Sequence, residues 1–146
     1  MRTAPAPPLN GLTGLDLSTQ LSGPYCSMLL GDLGADVIKV ERPGRGDDAR
    51  AFPPFVNGQS APFMTVNRNK RSLALDLKHP AGREICLRLA ARADVLLENF
   101  RPGVAERLGV GYPQVSAVNP RIIYCSISGF GQTGPYRERG GFDLIA

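Results

Sequence analysis

Two stretches decide the fold: Leu12-Thr13-Gly14-Leu15-Asp16-Leu17-Ser18-Thr19-Gln20-Leu21-Ser22-Gly23-Pro24-Tyr25-Cys26, and Leu33-Gly34-Ala35-Asp36-Val37-Ile38-Lys39-Val40-Glu41. Leu12 to Leu17 is a short apolar run that reads as a buried strand, and Ser18-Thr19 closes it. Ser22-Gly23-Pro24 supplies a capping hydroxyl and a proline suited to a first helical turn. Tyr25, Cys26, Leu29, Leu30 and Leu33 recur at helical spacing, which predicts an apolar helix face, and Gly34 fits the helix end. Asp36 to Glu41 reads as a second strand. The connection is short enough for a parallel crossover, so the opening is a β-α-β unit.

The alternation continues outward from this unit. Pro43 to about Asn69 is rich in Gly, Pro, Asp and Asn and reads as one long loop, a length usually tied to function or mobility. Ser72 to Leu77 alternates as a strand does. Pro80 opens a helix carrying Ile85, Cys86, Leu89, Ala90 and Ala93, and Asp94 to Phe100 reads as the next strand. Pro102 starts a helix through Leu108, a short helix spans Pro113 to Val118, and Arg121 to Ser128 is the following strand. Strands alternating with helices predict an α/β fold: a Rossmann-like, mostly parallel sheet with helices on both faces. Residues 1–8 form a Pro-rich lead-in, and 9–146 read as the N-terminal part of a larger domain. The apolar segment opening at Phe142 to Ala146 is not closed by a cap or a polar tail. The sheet is therefore expected to be incomplete at the C-terminus, in the front part of a longer enzyme.

Composition narrows the function classes. Of 146 residues, 42% are hydrophobic and 21% charged, as in ordinary globular chains. Seventeen basic residues against thirteen acidic give +4, which suits a phosphate-bearing small molecule. The cations have no interleaved aromatics, which argues against nucleic acid. No run approaches the ~18 apolar residues of a membrane span, and no signal peptide is visible, so no membrane partner and a cytoplasmic location are expected. Cys26, Cys86 and Cys125 are far apart, which gives neither a disulfide framework nor a metal site, and all three read as reduced and mostly buried.

Ligands of open α/β sheets sit beyond the carboxyl ends of the strands. Here those ends are Ser18 to Ser22, Glu41-Arg42, Leu77-Lys78, Asn99-Phe100 and Ser128 to Gly131. The first turn lacks the dinucleotide Gly-x-Gly-x-x-Gly pattern and the Walker pattern, although its helix N-terminus keeps free N–H groups for an anion. Arg42 ends a strand beside the flexible Pro43-Gly44-Arg45-Gly46, a position suited to a phosphate or an adenine face. Asp47-Asp48 and Asn67-Arg68-Asn69-Lys70-Arg71 read as solvated charge. Asn99 and Phe100 pair an amide with a ring, which suits a heteroaromatic ligand. Ser128 to Tyr136 has three glycines that would let backbone approach a ligand. His79 is the only histidine and is expected to be exposed, which leaves Ser-His or Cys-His chemistry little support.

Five stretches in order resemble the family III CoA-transferases, from about Leu9 to the end. They are Leu15-Asp16-Leu17 with Gly23-Pro24; Leu33-Gly34-Ala35-Asp36-Val37-Ile38-Lys39-Val40-Glu41; Asn67-Arg68-Asn69-Lys70-Arg71-Ser72; Ala93-Asp94-Val95-Leu96-Leu97-Glu98-Asn99-Phe100-Arg101-Pro102-Gly103; and Ser128-Gly129-Phe130-Gly131-Gln132-Thr133-Gly134-Pro135. The resemblance implies an enzyme that moves CoA from an acyl-CoA to a carboxylic acid through an aspartyl covalent intermediate. It implies coenzyme A or acyl-CoA as substrate, no permanently bound cofactor, and an interlocked homodimer. Carried over position by position, the CoA contacts fall at Leu21, Ser22, Arg42, Leu75, Lys78, Asn99, Phe100, Arg101 and Arg107. The family's nucleophilic aspartate falls past Ala146, so this chain is expected to hold no catalytic residue and to be inactive alone. The rival within the family is an α-methylacyl-CoA racemase, whose Gly-His-Asp context aligns with Gly141-Phe142-Asp143. A phenyl ring at Phe142 cannot carry the proton, which favours transfer. A non-catalytic CoA- or nucleotide-binding module is the alternative from another class.

Overall fold

The computed structural model describes residues 5–141. The expectations placed on Phe142 to Ala146 lie outside the described residues. The element order is β1 (Thr13–Asp16), α1 (Ser22–Asp32), β2 (Asp36–Glu41), a 3-10 turn (Asp48–Ala51), β3 (Phe55–Val56), β4 (Gln59–Ser60), α2 (Ala61–Asn67), β5 (Lys70–Ala74), α3 (Pro80–Ala90), β6 (Val95–Glu98), α4 (Val104–Arg107), α5 (Tyr112–Val118) and β7 (Ile123–Ser126).

Five strands form one parallel sheet in the order β5-β2-β1-β6-β7. β1 is central, with Leu15 opposite Ile38 on one side and Leu96 on the other. Crossovers carry the chain from β1 through α1 and β2 and on through α2 to β5, then back across through α3 to β6 and β7. That path puts α1 with α2 on one face and α3 with α5 on the other, and each of these pairs is in contact. Leu15, Leu17, Val40, Leu75, Cys86, Ala90, Leu96, Val110 and Val115 form the core.

Proline or a capping side chain fixes several helix starts. Ser60 Oγ accepts from Phe63 N (3.2 Å) at α2, and His79 Nδ1 accepts from Ala81 N (3.2 Å) at α3. His79 is exposed and serves there as a cap. Gly34 follows α1 with φ +102, a conformation that glycine takes without a steric cost.

Three expectations need correction. The long loop from Pro43 to Asn69 holds the 3-10 turn, the β3–β4 hairpin and α2, because Asp47 and Ser60 cap local turns that composition alone reads as irregular. The strand expected at Ser72 to Leu77 lies at Lys70–Ala74, so the basic run enters the sheet edge. On α1, Tyr25, Leu29 and Leu33 are exposed, and the buried positions are Gly23, Pro24, Ser27 and Met28. The helix buries the small Gly23, Pro24 and Ser27 together with Met28, which leaves the stripe of Tyr25, Leu29 and Leu33 outward. Of the three thiols, all free, only Cys86 is fully buried, and burial pushes its pKa up to about 12.

Candidate active-site cleft

A cleft of about 530 Å³ opens beyond the carboxyl ends of β1, β2, β5 and β6. Leu17 to Thr19, Lys39 to Pro43, Gly46 to Asp48, Leu75 to Lys78, Phe100 and Leu108 line it. This is where an open parallel sheet, its loops diverging to opposite faces, leaves a crevice.

Of the residues expected at the site, Arg42, Leu75, Lys78 and Phe100 line the cleft. Leu21 and Ser22 are exposed at the start of α1, while Arg101 and Arg107 are exposed before and on α4, next to Leu108. The Arg42 guanidinium pairs with Asp48, both well exposed, and donates weakly to the Gly46 carbonyl (3.4 Å). Asn99 faces the first turn: its Oδ1 accepts from Thr19 N (2.8 Å), and its Nδ2 donates to Thr19 O (2.8 Å) and to Ser22 Oγ (3.3 Å). The loop from Ser128 to Tyr136 does not line the cleft.

A charge cluster that the solvated reading of Asp47 and Lys70 missed runs from the cleft lining, through Lys39 and Asp47, to Asp16 and Lys70. Asp16, Lys39, Asp47 and Lys70 have side chains at most 2% exposed. Lys39 Nζ lies 2.9 Å from Asp47 Oδ2 and 3.9 Å from Asp16 Oδ2, and Lys70 Nζ lies 3.1 Å from Asp16 Oδ2. Lys70 also donates to the Pro24 carbonyl (2.8 Å) and to Asn67 Oδ1 (2.9 Å). Ser27 Oγ (2.6 Å) and the Ser18 hydroxyl donate to Asp16. Two carboxylates and two ammoniums cancel, and no buried side-chain polar atom among the described residues lacks a partner. Burial alone would raise Asp16. The charges of Lys39 and Lys70, with the two hydroxyls, outweigh it and hold the carboxyl below its ordinary 3.8. For Lys70 burial wins over Asp16 and draws the ammonium down to about 8.

A signal for this cluster was present in the sequence. Asp16 and Lys39 interrupt apolar strands in the middle of a sheet covered on both faces, where a charge has no route to water. The other two basic residues of that run, Arg68 and Arg71, are paired on the surface with Asp32 and Asp36.

Gly23 is required by contact. A Cβ there would stand 2.2 Å from Ser18 Cβ and 2.3 Å from its Oγ. The start of α1 therefore presses directly on the first turn.

Glu98, 3% exposed at the end of β6, accepts from Phe100 N (2.8 Å) and so shapes the turn that presents Phe100. Burial raises its pKa above 4.5, Glu106 adds to the rise, and the bonds from Ser126 and Phe100 N oppose it. A carboxyl with a raised native pKa costs stability once the unfolded chain ionises. That cost is absent below 4.5 and grows as pH rises through the native value. Glu98→Gln keeps an acceptor for Phe100 N and removes the charge. It should melt above the wild type at pH 7 and level with it near pH 4; equal melting temperatures at both values would contradict the buried-charge cost.

No helix among the described residues is long and apolar enough to cross a membrane. No group of three or more potential metal ligands occurs among them.

Known proteins resemble this sequence over nearly its whole length. It is 54% identical over 140 residues to the succinyl-CoA:glutarate CoA-transferase of Mus musculus, covering 95% of this chain and 32% of that protein. It is 50% identical over 141 residues to the acetyl-CoA:oxalate CoA-transferase of Acetobacter aceti, covering 97% of this chain and 36% of that protein. A CAIB/BAIF family protein from Brucella suis has the same fold, with a TM-score of 0.91 at 47% identity, over 97% of this chain and 38% of that one. The chain thus spans about a third of the length of the curated relatives it matches. The profile described as "CoA-transferase family III" matches residues 9–146, and with that match the chain belongs to CoA-transferase family III.

Proposed function

We propose that this cleft holds the coenzyme A portion of an acyl-CoA, and that the whole protein moves CoA from that thioester to a carboxylic acid. The observation that carries the reading is the cleft itself, which lies beyond four strand ends and is lined by the cations Arg42 and Lys78 beside the Phe100 ring and the apolar Leu75 and Leu77, while the carboxylates Glu41, Asp47 and Asp48 in the same lining are paired with Arg50, Lys39 and Arg42, and Asp76 is the fourth acidic residue there. A ligand with phosphates, a heteroaromatic base and a long flexible arm matches such a lining. In this reading Leu21, Ser22, Arg101 and Arg107, which lie outside the lining, reach the ligand from beyond it, and Asn99 acts through the first turn. The reacting carboxylate is an aspartate outside these residues, forming first an anhydride and then an aspartyl-CoA thioester. The 146 residues alone therefore carry out no transfer. An interlocked homodimer in the cytoplasm belongs to the same reading.

Arg42 tests the site. Its pair with Asp48 is exposed, and such pairs contribute only ~0–1 kcal/mol, so a phosphate can displace Asp48 at little cost. A charge-assisted contact to the ligand is worth roughly 1.5–3 kcal/mol. In the whole protein, Arg42→Ala should weaken CoA binding by an order of magnitude or more. Arg42→Lys should recover only part of the loss, because the planar fork is gone. Arg92→Ala, an exposed change away from the cleft, serves as control. Equal affinity of Arg42→Ala and wild type by calorimetry would remove the site from the end of β2.

A further inference from the structure

The turn between β1 and α1 is held almost entirely by side chains from elsewhere. Ser18 N donates to Asp16 Oδ1 (2.9 Å), and Ser18 O accepts from Lys39 Nζ (2.8 Å). Thr19 N and O are both bonded to the Asn99 amide. Gln20 N donates to Asp47, at 3.0 Å from Oδ1 and 3.3 Å from Oδ2. Gln20 has φ +66, which is unfavourable for a residue with a Cβ. Its own side chain is exposed and is not what fixes that conformation. Asp47 also accepts from Ala49 N (3.0 Å), so one carboxylate binds the first turn, β2 through Lys39, and the loop that carries Arg42 and Asp48.

We propose that Asp47 is a positioning residue of the cleft: it holds Gln20 in the left-handed conformation and thereby sets the shape of the wall that the ligand packs against. This rests on the reading of the cleft as a CoA site. A purely structural ion pair would affect melting and leave affinity alone. A positioning pair should affect affinity, and it should do so through the backbone of residue 20.

The test is calorimetric titration of the whole protein with coenzyme A, with thermal melting alongside. Wild type that takes up no CoA overturns the CoA reading and this proposal together. Given wild-type binding, the first variant is Lys39→Met/Asp47→Leu. It removes the pair as a unit and leaves Asp16 and Lys70 to neutralise each other, so no charge is stranded. Its affinity should fall about tenfold, the size expected for a lost charge-assisted hold, and its melting temperature should fall as well, because Ser18 O, Gln20 N and Ala49 N lose their partners. Adding Gln20→Gly, which takes positive φ freely, should return most of that loss. Wild-type affinity in the pair variant, or a loss that glycine does not reduce, overturns the proposal. Gln20→Val provides a second arm that leaves Lys39 and Asp47 intact. A β-branched residue is disfavoured at positive φ, so this variant should bind CoA as weakly as the pair variant is expected to. Wild-type affinity in Gln20→Val overturns the proposal whether or not the pair variant folds.

Discussion

Asp16→Ala should cost about 3–5 kcal/mol of stability, a large share of the roughly 5–15 kcal/mol that holds a domain folded. The carboxylate removed is the partner of Lys70, at 3.1 Å, and the acceptor for two buried serine hydroxyls. Lys39 would keep Asp47, at 2.9 Å, while Lys70 would keep only the neutral oxygens of Pro24 and Asn67. The damage is therefore one stranded ammonium together with the Ser18 and Ser27 hydroxyls and the Ser18 amide, which lose their acceptor. Asp16→Ala/Lys70→Met should be more stable than Asp16→Ala alone, because the second change removes that charge and fills the space with an apolar chain. Urea titration of the two variants decides the matter; if the double variant is no more stable, charge is not the cause. Acid acts on the same group. Asp16 has a native pKa below 3.8, so its contribution is complete above 3.8 and is lost as pH falls through the lower native value.

Gly23→Ala is the second large effect. The added methyl would meet Ser18 Cβ at 2.2 Å, and Ser18 is fully buried and bonded to Asp16 through both its amide and its hydroxyl. With no room to give, α1 must lift from the turn, at about 3 kcal/mol or more. Because the turn forms part of the cleft lining, the wall at Ser18 and Thr19 should shift with it, and under the proposed reading CoA affinity should fall. Ser18→Gly should suppress the defect by removing both clashing atoms, at the expense of one hydrogen bond. If Gly23→Ala melted like wild type, the packing of α1 on the turn would have to be looser than the distances state.

The alternating strands and helices were legible in the sequence because each core strand is a short apolar run bounded by turn residues. β1, β2, β6 and β7 lie within a residue or two of their expected bounds. Proline marked the starts of α3 and α5 for the same local reason. The strand ends also located the cleft, and Arg42, Leu75, Lys78 and Phe100 line it. What composition could not show is convergence. Asp47 beside Asp48 looks like a solvated pair, yet one side chain is buried and the other is exposed. Lys70 sits among surface arginines, yet it alone turns inward to Asp16, 54 positions away in the chain. Local spacing says nothing about such partners. The outward stripe of Tyr25, Leu29 and Leu33 misled for a related reason: helical periodicity identifies an apolar face and does not say which neighbour covers it.

The clamped first turn has a consequence for the order in which the molecule assembles. Its residues are contiguous, but their partners are spread along the chain: Lys39 stands 21 residues from Ser18, Asp47 is 27 from Gln20, and Asn99 is 80 from Thr19. Closing contacts of that span requires much of the chain to be in place first, and their entropic cost is met late. During synthesis β1 and α1 emerge early, yet the turn between them lacks its Asn99 clamp until β6 has docked. It follows that the clamped turn, and the cleft wall it forms, is among the last features of the domain to settle, and that an incompletely folded chain has its strands before it has that wall.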